Sequence, residues 1–124
     1  MRNIDSNNKY EDGLEQCAAN SVSLTPISFI DRSAKIYPQH IAMIQGEQKW
    51  TWAETYDRAR RLASALTKVG VGLGDTVAFI APNGVPLFEA HFGVPMTGAV
   101  LNAINIRLDA GTIAYILDHG EAKV

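Results

Sequence analysis

The chain has one cysteine, Cys17, among 124 residues. No intrachain disulfide can form, which fits a reducing compartment, and cysteine offers no metal-binding set. Basic residues never run longer than the pair Arg60-Arg61, and the net charge is -2, so the footprint of a nucleic-acid or anionic-lipid partner is missing. No uninterrupted apolar stretch approaches the ~20 residues of a membrane helix. The opening MRNIDSNNKYEDGLEQ carries no apolar run behind a positive flank, which argues against a secretory signal or an arginine-rich transit peptide. The cytoplasm is the default location. Internal repeats and low-complexity tracts are lacking too.

What the chain does have is 47% hydrophobic residues, enough for a core at the usual size of one domain. Charge is uneven. Residues 1–24 set Arg2 and Lys9 against Asp5, Glu11, Asp12 and Glu15, whereas the remaining hundred residues balance nine basic and nine acidic side chains. The expected division is a polar N-terminal arm over 1–24 and a folded unit over 25–124.

Thr25-Pro26 marks a helix start, because a threonine oxygen caps free amides and proline loses nothing at the first helical position. Ile27, Ile30, Ala34 and Tyr37 give that helix an inward face, and Pro38 stops it. HIAMIQ and QKWTW around Gly46-Glu47 predict a β-hairpin. Trp50 and Trp52 read as packing residues at the hairpin or its exit. Thr51 and Glu54 form a capping box for a helix whose stripe is Trp52, Tyr56, Ala59, Leu62, Ala63, Leu66 and Val69, ending at Gly70. On its outer face, Glu54 with Arg58 and Asp57 with Arg61 stand at i,i+4 spacing, each pair worth roughly 0.2–0.5 kcal/mol.

TVAFIA reads as a buried strand, followed by a helix from about Val85 that Pro95 kinks or ends. AVLNAI is the next strand, Asp109 caps a helix running to His119 and Gly120, and AKV resumes extended structure. Two βα units imply a parallel sheet with right-handed crossovers. The fold class is therefore α/β: βαβαβ units preceded by a helix and a hairpin. A chain halting at Val124, on the first residues of a buried parallel strand, leaves a ladder unpaired and an apolar face uncovered, so the fold is expected to be incomplete.

Candidate chemistry is sparse. GVGLGDT, Gly70 to Thr76, resembles a nucleotide loop, but it runs from a helix into a strand, the reverse of the order that aims a helix N-terminus at phosphates. It reads as a connector. APNGVP, Ala81 to Pro86, leaves the carboxyl end of a strand, where open α/β sheets bind ligands. There Asn83 either caps the helix or helps turn amides toward a ligand. His91 shares a helical face with Leu87, Phe88 and Pro95; it is either a buried neutral histidine bonded to backbone or the lining of an acyl pocket. Arg107 serves an anion or, equally well, a local ion pair or carbonyl contacts. His40 and His119 do not read as ligands. These three residues, His91, Asn83 and Arg107, are the substrate-binding candidates, and no side chains pair as a catalytic set or metal site.

Four segments in order carry a resemblance: TW-x-E-x-x-x-x-x-x-R-L-A from Thr51 to Ala63, GD-x-V-A from Gly74 to Ala78, APN from Ala81 to Asn83, and GAVLNAIN-x-RLDA from Gly98 to Ala110. Over Leu24 to Val124 the chain resembles the N-terminal part of an acyl-CoA synthetase of the adenylate-forming, AMP-binding superfamily. Residues 19–26 and HFGVPM-x-GAVLN from His91 to Asn102 are similar to the branch acting on fatty and other small carboxylic acids. Ala103 departs from the proline of many relatives.

The resemblance implies a large α/β N-terminal domain with a mobile C-terminal lid. It also implies two steps: carboxylate attacks ATP to give acyl-adenylate and pyrophosphate, then the coenzyme A thiol displaces AMP. ATP, Mg²⁺ and coenzyme A are thus the implied cofactors of the parent enzyme. The family's phosphate loop with its lysine, its Tyr-x-x-Thr-Glu motif, its hinge aspartate and its late lysine would fall after Val124, so no catalytic or cofactor-binding residue carries over. The isolated chain is expected to be inactive. Two other readings stand beside this one: a free-standing α/β ligand-binding or interaction module, and a parent ligase for an aryl acid.

Overall fold

Thr25 starts the first helix as its residue type predicts. Its backbone is extended, its hydroxyl accepts from the Ser28 amide at 3.3 Å, and Pro26 opens α1, Pro26–Ile36. Ile30, 1% exposed, is the anchor of α1. Tyr37 does not join that inward face. It is the C-cap, with φ -126°, so it turns off the helical stripe and stacks on His40 at 5.1 Å between ring centroids. The computed structural model describes residues 13–124, so the first half of the expected polar arm, residues 1–12, lies outside the described residues. Residues 13–20 are exposed, and a turn at Cys17–Asn20 is closed by the Asn20 carboxamide accepting from the Cys17 amide at 2.8 Å.

The hairpin forms as expected, with β1, Ile41–Gln45, antiparallel to β2, Gln48–Thr51. Gly46 takes φ +61° in the two-residue turn, and Glu47 has no positive φ, the sign pattern of a type II′ turn. Thr51 then caps α2, Trp52–Lys68: its hydroxyl accepts from the Glu54 amide, and the Glu54 carboxylate accepts from the Thr51 amide at 2.8 Å. Those amide and hydroxyl bonds hold the Glu54 carboxyl below its usual value.

Glu54 is consequently not the partner of Arg58. Arg58 points across to Glu89 on the following helix, whereas the expected Asp57–Arg61 pair is present. Thr55, Ala59 and Leu66 are the buried positions of α2. Val69, placed on the stripe by its spacing, is 64% exposed because it is the C-cap, where the chain leaves the helix toward Gly70 at φ +86°.

GVGLGDT is a connector in the structure too. The Asp75 carboxylate accepts from the Gly72 amide at 2.8 Å and from the Lys123 ammonium at 2.7 Å, closing the loop on itself. It leads into β3, Thr76–Ile80, then α3, Val85–Gly93, a short 3₁₀ turn at Pro95–Thr97, β4, Val100–Ile104, and α4, Ala110–His119. Pro95 ends α3, and Gly98, at φ +81°, redirects the chain into β4. Asp109 caps α4 through the Thr112 amide at 3.0 Å. At the other end of α4, Gly120 stays at φ -82° and Glu121 takes the left-handed turn at φ +49°.

β3 and β4 pair in parallel with Thr76 opposite Val100 and Ile80 opposite Ile104. The residues after α4 join the opposite edge of β3: the Lys123 amide donates to the Thr76 carbonyl at 2.9 Å, and the Ala78 amide to the Val124 carbonyl at 2.7 Å. The ladder expected to stay unpaired is thus paired with β3. Because β4 lies on one side of β3 and residues 122–124 on the other, right-handed connections put α3 and α4 on opposite faces. Side chains agree. Val77, Phe79 and Leu101 pack with Leu66, Ala90 and Val94 on one face, while Gly120, after α4, sits against Asn102, which shares the other face with Ala78. The strand over Thr76–Ile80 is less buried than its run of apolar residues predicts: only Val77 is buried, and Ile80 is exposed.

Candidate functional site

The carboxyl ends of β3 and β4 deliver two connections to one edge of the sheet, residues 81–84 and residues 105–109. At the first lies a cavity of about 680 Å³, within the range of small-molecule pockets. Met43, Ile44 and Gln45 of β1 form one wall. The other comes from Asn83, Gly84 and the helix that follows, through Val85, Leu87, Phe88, His91 and Phe92. Phe88 and Phe92 meet edge to face, 5.3 Å between centroids. The lining is mostly apolar, with Gln45, Asn83 and His91 as its polar side chains and no Lys, Arg, Asp or Glu.

His91 lies at this cavity and is exposed, which corrects the expectation of a buried histidine. Its predicted backbone bond is present: Nδ1 lies 2.7 Å from the Leu87 carbonyl. A carbonyl only accepts, so Nδ1 is the donor in this bond, and Nε2 is the ring nitrogen left for a ligand. The burial expectation failed because α3 turns Glu89 and Gly93 against α2 and Ala90 into the core, which leaves position 91 facing outward.

Asn83 also lines the cavity, yet it does not cap α3. Gly84 is the N-cap, and the acceptor for the Val85 amide is Gln45 Oε1, 3.1 Å away and 40 residues earlier. Arg107 stands apart, in the β4–α4 connection. Its amide donates to Asn105 Oδ1 at 2.9 Å, and its exposed guanidinium has no partner among the described residues.

Beneath the cavity wall, Glu89 is 8% exposed at its side chain and accepts two hydrogen bonds from Arg58, one to Oε1 and one from Nη2 to Oε2 at 3.1 Å. Glu89 in turn raises the already high affinity of Arg58 for its proton. The pair ties α3 to α2, and local spacing gave no hint of it, since its partners are 31 residues apart. Gln45 was equally hidden. The Phe88–Phe92 spacing of four was the signal that could have found the aromatic wall.

The donor set of one histidine and two carboxamides does not fit a triphosphate or its Mg²⁺, which call for cationic or carboxylate groups. Among the described residues, no three His, Cys, Asp or Glu side chains gather as a metal site. No helix of the described residues is long and apolar enough to cross a membrane.

A family model described as AMP-binding enzyme matches residues 30–124. The chain belongs to this family. Among curated relatives, it is 52% identical over 113 residues to the Arabidopsis thaliana protein named acetate/butyrate–CoA ligase AAE7, peroxisomal, covering 91% of this chain and 20% of that protein. It is 48% identical over 113 residues, with the same coverage, to the same plant's benzoate–CoA ligase, peroxisomal. It thus spans about a fifth of these relatives' length.

Solved structures agree on the fold. The Mycobacterium tuberculosis fatty acyl CoA synthetase superposes with a TM-score of 0.74 at 31% identity, over 77% of this chain and 20% of that one. The N-terminal domain of FACL13 from the same organism gives 0.76 at 30% identity, over 81% and 26%. The α/β units here are those of the N-terminal domain of adenylate-forming acyl-CoA ligases.

Proposed function

We propose that this chain is the scaffold-forming N-terminal part, over residues 25–124, of an ATP-dependent ligase that converts a carboxylic acid to its coenzyme A thioester through an acyl-adenylate. The observation that carries this reading is the match over 113 residues to proteins named as acetate, butyrate and benzoate ligases. ATP, Mg²⁺ and coenzyme A are cofactors of the parent, held by residues outside this chain, and the isolated chain does not turn over. The uncharged lining of the cavity supports that division, because adenylyl transfer needs preorganised positive charge around the phosphates. Asn83 and His91 are the candidates for contact with the organic acid, and Arg107, exposed on the same sheet edge, for contact with an anionic group.

A short or longer aliphatic acid is the first substrate reading. An aryl acid is the second, favoured by the edge-to-face Phe88–Phe92 pair at the cavity. We place the protein in the cytoplasm, with the peroxisome, named for both relatives above, as the alternative. Reading the transcript past codon 124, expressing the full frame and incubating it with ATP, Mg²⁺, coenzyme A and either butyrate, hexadecanoate or benzoate tests the reading. Formation of one acyl-CoA with release of AMP is the expected result. A frame with no acyl-CoA product from any of the three overturns it.

A further inference from the structure

Lys123 lies in the extended segment that pairs with the edge of β3 opposite β4. Backbone bonds hold that segment at two points, from the Lys123 amide to the Thr76 carbonyl at 2.9 Å and from the Ala78 amide to the Val124 carbonyl at 2.7 Å. Such a ladder does not choose its own register. Parallel pairing repeats every two residues, so a slip of two restores the same backbone pattern and moves the segment about 7 Å along β3.

The Lys123 side chain is specific where the backbone is not. Ala122 lies opposite Thr76, so alternation puts Lys123 on the face of Val77, which packs with Leu66 of α2. There its ammonium donates to the Gly70 carbonyl and to Asp75 Oδ2, each at 2.7 Å. Both acceptors are fixed by other bonds. Gly70 belongs to the closing turn of α2, where its amide donates to the Thr67 carbonyl and the Val71 amide to the Leu66 carbonyl, both at 3.0 Å. Asp75 Oδ2 also accepts from the Gly72 amide at 2.8 Å.

A slip of one residue would turn Lys123 to the opposite face of the sheet. A slip of two takes the ammonium away from both acceptors, and in one direction it brings Glu121 to the place of Lys123, setting a carboxylate beside that of Asp75. The competing restraint is the turn after α4, in which the Ala122 amide donates to the Leu117 carbonyl at 3.0 Å. It ends at Ala122.

We propose that Lys123 is a positioning residue that sets the register of residues 122–124 on β3 through its two side-chain bonds to Gly70 and Asp75. An ordinary surface ion pair contributes little, because two mobile chains must be ordered to form it. Here the carboxylate is 29% exposed and already held by the Gly72 amide, so the lysine alone has to be placed.

The test uses nuclear magnetic resonance on the 124-residue chain, on Lys123→Met, which keeps the apolar stem and removes the ammonium, and on Lys123→Arg, which keeps a charged donor. Amide exchange is read at Ala78, the donor to Val124, with Ala59 in α2 as reference, and the Thr76–Ala122 contact is read by the nuclear Overhauser effect. The wild type and Lys123→Arg are expected to share Ala78 protection and that contact. In Lys123→Met, Ala78 exchange is expected to quicken about tenfold with Ala59 unchanged, and the Thr76–Ala122 contact to disappear. A contact that persists in Lys123→Met leaves the register to the turn after α4 and overturns the proposal. An equal quickening at Ala59 overturns it too, since the loss is then one of overall stability, and so does a Lys123→Arg variant that behaves like Lys123→Met. Should Lys123→Met fail to fold, the wild type decides: scalar coupling across the hydrogen bond from Lys123 Nζ to the Asp75 carboxylate is expected, and a freely rotating ammonium without it overturns the proposal.

Discussion

Arg58 on α2 and Glu89 on α3 form a two-point ion pair in which the carboxylate is 8% exposed and the guanidinium 46%. The unequal burial decides what each loss does. Removing Arg58 strands a desolvated carboxylate, whereas removing both charges strands nothing.

Arg58→Met should therefore destabilise the chain by about 3 kcal/mol, the low end for breaking a buried pair because the guanidinium keeps part of its hydration. The double variant Arg58→Met, Glu89→Leu should recover most of that loss. Urea unfolding of the two variants checks both statements, and a double variant no better than the single one contradicts them.

At Gly93, α3 comes too close to α2 to leave room for a side chain. A Cβ there would sit 2.8 Å from Leu62 Cδ2 and 2.9 Å from the Ala59 carbonyl oxygen, and the second neighbour is backbone that cannot swing away. Gly93→Ala should cost about 1–3 kcal/mol by overpacking. This outweighs a gain in helix propensity of at most about 1 kcal/mol. A thermal midpoint equal to or above the wild type's would contradict the close approach.

The Lys123 ammonium, then the Gly72 amide, hold the Asp75 carboxyl below its unfolded value of 3.8. A lowered folded-state value means the unfolded chain binds the proton more readily, so this stability is present above that pH and lost as pH falls through the folded-state value. Asp109, through Thr112, Glu54, through Thr51, and Asp31, through Lys35, act in the same direction. Acid unfolding should be less steep in Asp75→Asn than in the wild type below about pH 4. The same dependence of the urea midpoint on pH in both proteins would contradict it.

Features governed by residues close in sequence were legible from the chain alone. Thr25, the Thr51–Glu54 box, Asp109 and the Gly46 turn act within three or four positions, and periodicity placed the helices they begin. The errors share a different cause. Glu54 looked like the partner of Arg58 because only local spacing was visible, yet Glu89 lies 31 residues away and offers a drier pairing. Asn83 looked like a cap for the same reason, while the acceptor used is Gln45, across the sequence. His91 was placed on the right helix, and of its two readings the buried one fails, since Glu89 and Gly93 turn against α2 and Ala90 into the core, leaving position 91 at the cavity. Of the three candidates, Asn83 and His91 share the cavity. Arg107 does not, because the β4–α4 connection reaches the same sheet edge at another point.

We propose that these residues supply scaffold of an acid–CoA ligase and not its adenylating machinery. The direct test is pyrophosphate release by the purified 124-residue chain with ATP, Mg²⁺ and butyrate or benzoate. No release above the protein-free rate is expected. Sustained acid-dependent release by the chain alone would contradict it.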